Sequence, residues 1–140
     1  MKSFHKHINN IVEESTDLEL ITEKRIDAST MPICKKFVTF CKNFLDLKSP
    51  VKLKFIRKLD GHHTTGGYHP GEKKITVYVH ERALVDVLRS VAHELVHQKQ
   101  HDDGKLNINS GETGSSEENE ANALAGILMR HFQKENREIY

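Results

Sequence analysis

The sequence predicts an α+β fold in which a small antiparallel or mixed sheet of three or more strands packs on two helices. Three observations predict it. Val51, Leu53 and Phe55 alternate with Lys52 and Lys54, and Ile75, Val77 and Val79 fall in phase over residues 74–80, so each stretch reads as a half-buried strand. Leu84, Val87, Leu88, Val91, Ala92 and Leu95 recur at helical spacing, which gives an amphipathic helix over about residues 82–100. Ser115 and Glu118 stand at capping-box spacing ahead of another apolar helical pattern that runs to about Lys134.

From the N-terminus, residues 1–28 are weakly patterned and read as an N-terminal arm, with residues 29–140 as the domain proper. Phe4, Ile8, Ile11 and Val12 have helical spacing until the polar run 13–17 interrupts them. The arm is therefore expected to hold a short helix and then an extended strand over 18–21, or to be only partly ordered. The next helix has Ser29 or Thr30 as its cap and Pro32 in the first turn, where a missing amide proton costs nothing. Its stripe is Ile33, Phe37, Phe40 or Cys41, Phe44 and Leu45, and it stops near Ser49 and Pro50. Residues 60–67 form a loop rich in Gly, His and Thr. Pro70-Gly71-Glu72-Lys73 is a turn, so the strands beside it make a hairpin leading into the 82–100 helix. Residues 102–114 read as a surface loop.

A chain of 140 residues with 36% apolar content and no Trp suits one domain with a modest core. Lys plus Arg (21) nearly equals Asp plus Glu (20), and a net charge of +1 gives no electrostatic case for nucleic acid or membrane partners. Met1 to Asn10 is polar, with no apolar run of a signal or spanning segment. The expected setting is cytoplasmic, or a host cytoplasm or virion if the chain is of phage origin. Cys34 and Cys41 are seven apart in a helix, about 10 Å between α-carbons, beyond disulfide reach.

The chemistry concentrates in His93-Glu94-Leu95-Val96-His97, an HExxH pentad. Residues four apart lie one helical turn apart on nearly the same face, so both imidazoles can aim at one point and chelate one metal ion. Zn2+ suits them, because neutral imidazole is a borderline-soft ligand and zinc tolerates a tetrahedral site with an open position. Glu94, beside the pair, could then take a proton from a water acidified by the ion. Asp86, Ser90, His93 and His97 share a face flanked by apolar residues, as expected of a helix that lines a cleft.

A catalytic zinc usually takes a third protein ligand. With Leu124 as the centre of the last helix's apolar face, Glu117, Glu120, Ala121, Ile127, Leu128 and His131 fall within about 60° of it, and Glu118 well off it. Periodicity does not choose between Glu117 and Glu120, and either could instead serve the helix dipole.

HExxH followed by Asn119-Glu120-Ala121 at the opening of a later helix resembles the gluzincin class of zinc peptidases. The string from Glu118 to Ala125, with Asn122, Ala123 and Leu124 inside it, is most similar to the ImmA/IrrE-type metallopeptidases. The resemblance covers roughly residues 51–132. It implies a zincin-like fold with Glu120 as third metal ligand, and Ala121, Ala123 and Ala125 letting the two helices approach closely. Two departures stand out. Thermolysin-like gluzincins carry an acidic residue four positions after the ligand Glu, where this chain has Leu124, so Asp86, Ser90, Glu117 or Asn122 would have to orient a histidine instead. No residue is assigned by pattern to stabilise an oxyanion; Tyr68, His69, His62, His63 and His101 are candidates by type only. Metzincin, SprT-like and peptide deformylase patterns fit less well, because the His or Cys each requires is missing from its place.

The expectation is a zinc-dependent metallopeptidase with Zn2+ on His93, His97 and Glu120 and Glu94 as general base, acting on a peptide or protein laid along a strand edge near Gly66-Gly67-Tyr68. The alternative is a catalytically inactive, zinc-stabilised binding or structural module of a larger assembly. The short, Lys-rich chain also looks similar to small metallopeptidase-like proteins of tailed bacteriophages. Cleavage specificity and oligomeric state are not legible in the residues.

Overall fold

Alternation along the strands dictates which face of the sheet meets the helices. In a computed structural model, described over residues 10–14, 18–23, 30–57, 65–106 and 115–137, five strands form one mixed sheet. They are β1 (Asn10–Glu14), β2 (Leu18–Glu23), β3 (Val51–Ile56), β4 (Gly66–His69) and β5 (Lys74–Tyr78), in the order β1-β2-β3-β5-β4. β2, β3 and β5 run parallel, while β1 and β4 pair antiparallel at the two edges. Leu18 and Leu20, Val51, Leu53 and Phe55, and Ile75 and Val77 are buried on one face at period two. Lys52 on β3 points the other way and is exposed.

Three helices complete the fold: α1 (Met31–Leu45), α2 (Leu84–Asp102), which packs on β4 and β5, and α3 (Ser116–Glu135), which packs on α2 and α1. Thr30 precedes α1 and Pro32 lies in its first turn; the helix ends earlier than expected, at Asp46, whose backbone is left-handed (φ 55°). Cys34 and Cys41 are free and buried, and burial pushes the Cys34 thiol up to about 12, so both pack as small apolar groups. Phe37 on α1 meets Phe132 on α3 edge-to-face, with ring centroids 4.9 Å apart. α2 is the central element, buried on most of its circumference from Val87 to Gln100.

The hairpin is present as expected, with β4 and β5 joined by the turn at 70–73, where Lys73 takes a positive φ of 49°. The division at residue 28 needs revision. Two strands from the first 28 residues belong to this sheet, with β2 aligned parallel to β3 and Leu18 and Leu20 in the core. A helix reaching Ile11 and Val12 is replaced by β1, because those residues pair with Thr22 and Ile21. Phe4 and Ile8 lie outside the described residues. Among those described, no helix is long and apolar enough to cross a membrane.

Candidate functional site

α2 carries the pentad at its middle, where the helix passes between the sheet and the start of α3. His93 and His97 stand one turn apart, with ring centroids 4.8 Å from each other. Glu118, in the first turn of α3, meets both rings. Its Oε2 lies 3.1 Å from His93 Nε2 and its Oε1 3.0 Å from His97 Nε2. Among the described residues, these three form the group that could hold a metal ion, with one ligand atom from each all within 4.8 Å of one another.

The carboxylate brought to the imidazoles is thus Glu118, in place of the expected Glu120. Glu120 is exposed, and its Oε1 accepts from Gln100 Nε2 at 2.8 Å. The Glu117 carboxylate accepts from Ser116 Oγ at 2.7 Å. The physical reason is the true centre of the buried face of α3. Ala121, Ala125, Leu128, Met129 and Phe132 are buried, whereas Leu124 is half-buried. Measured from Ala125, Glu118 lies about 20° away around the helix and Glu120 about 140°. The small side chains mark the face of closest approach; the large Leu124 sits at its margin.

The local chain geometry supports the same result. Ser115 Oγ caps α3 by accepting from Glu118 N at 3.1 Å, half of the capping box that the spacing announces. In the full motif the Glu side chain turns back to the cap, but here each of its oxygens faces an imidazole instead.

Hydrogen-bond accounting around His97 then restricts what Nε2 can face. Gln100 Nε2 donates to Glu117 O at 2.9 Å and to Glu120 Oε1, so its Oε1 must be the atom 2.7 Å from His97 Nδ1. An acceptor there requires the proton on Nδ1. His97 Nε2 also faces an acceptor, the Glu118 carboxylate. With Nδ1 already protonated, Nε2 needs either a second proton or a cation between it and Glu118. Buried Gln100 is therefore a group that orients His97, in addition to the expected candidates Asp86, Ser90, Glu117 and Asn122. For His93, burial holds the ring's pKa below the ordinary imidazole value; Glu118 and Asn122 favour its protonated form and His97 opposes it. Of the other residues expected as orienters, Asp86 pairs with Arg89 and Ser90 bonds Arg82.

Glu94 lies on the same stretch of α2, nearly fully buried. Burial, and then the charge of Glu118, push its carboxyl up to about 8. It is packed against β4: a Cβ on Gly66 would stand 3.3 Å from Glu94 Oε2 and 3.2 Å from Thr76 O.

These groups open into a cleft of about 1030 Å3 between α2 and β4, an edge strand among the described residues. Period two decides which strand residues take part. Gly66 and Tyr68 pair with buried Val77 and Ile75 and share their face, whereas His69 turns to Thr76 Oγ1 at 3.3 Å. Tyr68 Oη lies 2.7 Å from His101 Nδ1, and both residues line the cleft. Burial, then the charge of Asp102, raises the Tyr68 phenol to about 12. Of the candidates named by residue type, Tyr68 and His101 are thus beside the three-residue cluster and His69 is not. His62 and His63 lie outside the described residues. Comparison with protein-family models, with curated proteins and with solved structures returns no match for this chain.

Proposed function

We propose that the chain is a zinc-dependent metallopeptidase of zincin-like design, with His93, His97 and Glu118 as metal ligands and Glu94 as general base. The observation that carries this reading is the convergence of two imidazoles and a carboxylate on one point at the floor of a cleft, with a buried carboxylate beside them. The donor types, two imidazole nitrogens and a carboxylate, suit zinc. Ligands at about 2.0–2.2 Å in a tetrahedron stand roughly 3.3–3.6 Å apart, and one ligand atom from each of the three residues lies within 4.8 Å of the others. The hydrogen-bonding of His97, with Nδ1 committed to Gln100, leaves Nε2 directed at the same point.

A zinc ion held there supplies Lewis acidity, polarising a carbonyl and lowering the pKa of water. The chain's own residues supply the rest. Glu94 takes a proton at its carboxylate and passes it to the leaving amine; its burial keeps its basicity well above that of an exposed carboxylate. Tyr68 on β4 and His101 on α2 are bonded to each other at 2.7 Å, which leaves one polar hydrogen of the pair for the cleft. β4, an edge strand among the described residues, offers backbone groups to an extended peptide, which would pair as an added strand.

The test joins metal analysis to turnover. Purified chain is expected to carry one zinc, to cleave a mixed peptide library and to lose cleavage to a chelator. Glu94→Gln should keep the metal and lower turnover by about 10²–10⁴-fold, the usual share of a positioned proton acceptor. Full turnover in that variant rejects the role of Glu94. Stoichiometric zinc with no cleavage of any peptide favours a zinc-stabilised binding or structural module, and absence of metal affinity rejects both.

A further inference from the structure

The proposed chemistry occupies one part of the cleft; the part above the start of α2 holds a guanidinium. Arg82 is half-buried and lines the cleft with Ser90 and Thr65. It donates from NH1 to Tyr78 O at 2.7 Å, and from NH2 to Asp86 O at 3.0 Å and to Ser90 Oγ at 2.8 Å. All three acceptors are neutral. A guanidinium has five N–H donors, so Nε and one hydrogen on NH1 are uncommitted among the described residues. The nearby carboxylate of Asp86 is taken by Arg89 at 3.0 Å.

Burial and the start of α2 both bear on this guanidinium. Burial is the largest influence on Arg82 and lowers its pKa against the opposing charge of Asp86, as expected of a cation held mainly by neutral oxygens. α2 begins after Ala83, which offers no side-chain cap, and the acidic side chain of its first turn, Asp86, is shared with Arg89. Ser90 stands three residues before His93, about 4.5 Å along the helix axis, little more than the length of one extended peptide residue.

We infer that Arg82, with Ser90 and Thr65 beside it, forms a carboxylate-binding subsite that selects peptides bearing an acidic side chain or a free C-terminal carboxylate within a residue or two of the scissile bond. The inference rests on the peptidase reading for what is cleaved, but binding is measurable without turnover.

The probes are acetylated hexa-alanine peptides carrying one Glu or Gln at each position in turn, each made as free acid and as amide. Their affinities for zinc-loaded Glu94→Gln protein are compared with those for the same protein also carrying Arg82→Gln. At one position Glu is expected to bind about tenfold more tightly than Gln, or the free acid more tightly than the amide, and Arg82→Gln should erase that preference. The first outcome assigns the subsite to acidic side chains and the second to chain ends. Equal affinities throughout, no binding at millimolar concentration, or a preference that survives Arg82→Gln overturns the inference. Should Arg82→Gln fail to fold, Arg82→Lys keeps the charge without the planar fork and should reduce the preference several-fold; an unchanged preference rejects the subsite. Native protein that cleaves nothing while the Glu94→Gln protein prefers carboxylates removes the peptidase reading and leaves the subsite standing.

Discussion

Two buried glutamines on α2 stand two residues apart, on nearly opposite sides of the helix, and they do different work. Gln100 uses its amide fully, accepting from His97 and donating to Glu117 O and Glu120 Oε1. Gln98 donates to Ser49 Oγ at 2.8 Å and Pro50 O at 2.9 Å, but its own Oε1 has no partner among the described residues. Ser49 in turn bonds Asp102 at the end of α2. A complete network fixes the orientation of a ring, while a half-used one only ties α2 to the turn between α1 and β3. The side of α2 facing α3 is thus built for geometry and the side facing α1 for attachment.

The sharpest way to break that contrast is to remove the carboxylate of α3. Glu118→Ala should weaken zinc binding, read by competition with a chromophoric chelator, by more than the about 10–100-fold typical of an outer partner, whereas Glu120→Ala should stay within that range. A reversed order would return the third ligand to Glu120. Gln100→Leu should lower zinc affinity by about 10–100-fold while the chain still folds, because His97 keeps its place but loses the acceptor on Nδ1.

Metal-free protein tests the same side through pH. Burial raises the Glu94 pKa from 4.5 to about 8, so the carboxyl is protonated in both folded and unfolded states at low pH, and only the folded state resists ionisation as pH rises. Stability is therefore present below about pH 4.5 and lost as pH rises through about 8, by on the order of a few kcal/mol. His93, with a folded pKa below 6.5, acts in the opposite sense, costing stability as pH falls below that value. Denaturant unfolding of chelated protein between about pH 6.5 and 8, below the range in which the unfolded cysteines ionise, reads Glu94, and Glu94→Gln should flatten the slope. The smallest effect belongs to the attachment side. Gln98→Met should destabilise by only about 1 kcal/mol, since it removes two hydrogen bonds along with an orphaned oxygen, and zinc affinity should not change.

Much of the fold was legible because apolar residues recur with clean periods. Val51, Leu53 and Phe55, and then Ile75 and Val77, mark strands whose alternation the structure keeps. The pair His93 and His97 needs only helical spacing to converge. Glu118 was not legible for a related reason: the buried face was centred on the most apolar residue, Leu124, although two helices approach most closely over alanines. Ser115 offered a second misdirection, since capping-box spacing gives Glu118 a sufficient local duty. Gln100 carried no signal because an amide can orient a histidine without any charge. The pairing of Tyr68 with His101 depends on β4 lying at the sheet edge beside α2, which no local pattern encodes.

Gly66 bears one more consequence. With Glu94 and Thr76 already near the limit of contact with a Cβ there, the outermost strand passes the carboxylate as closely as a backbone can. A chain added beyond β4 would take its place at the next step of the sheet, about 4.8 Å outward. The lane of an incoming peptide is thereby gauged from the position of Glu94 itself, and Gly66→Val would press its side chain on the Glu94 carboxylate and disturb that lane and the carboxylate together.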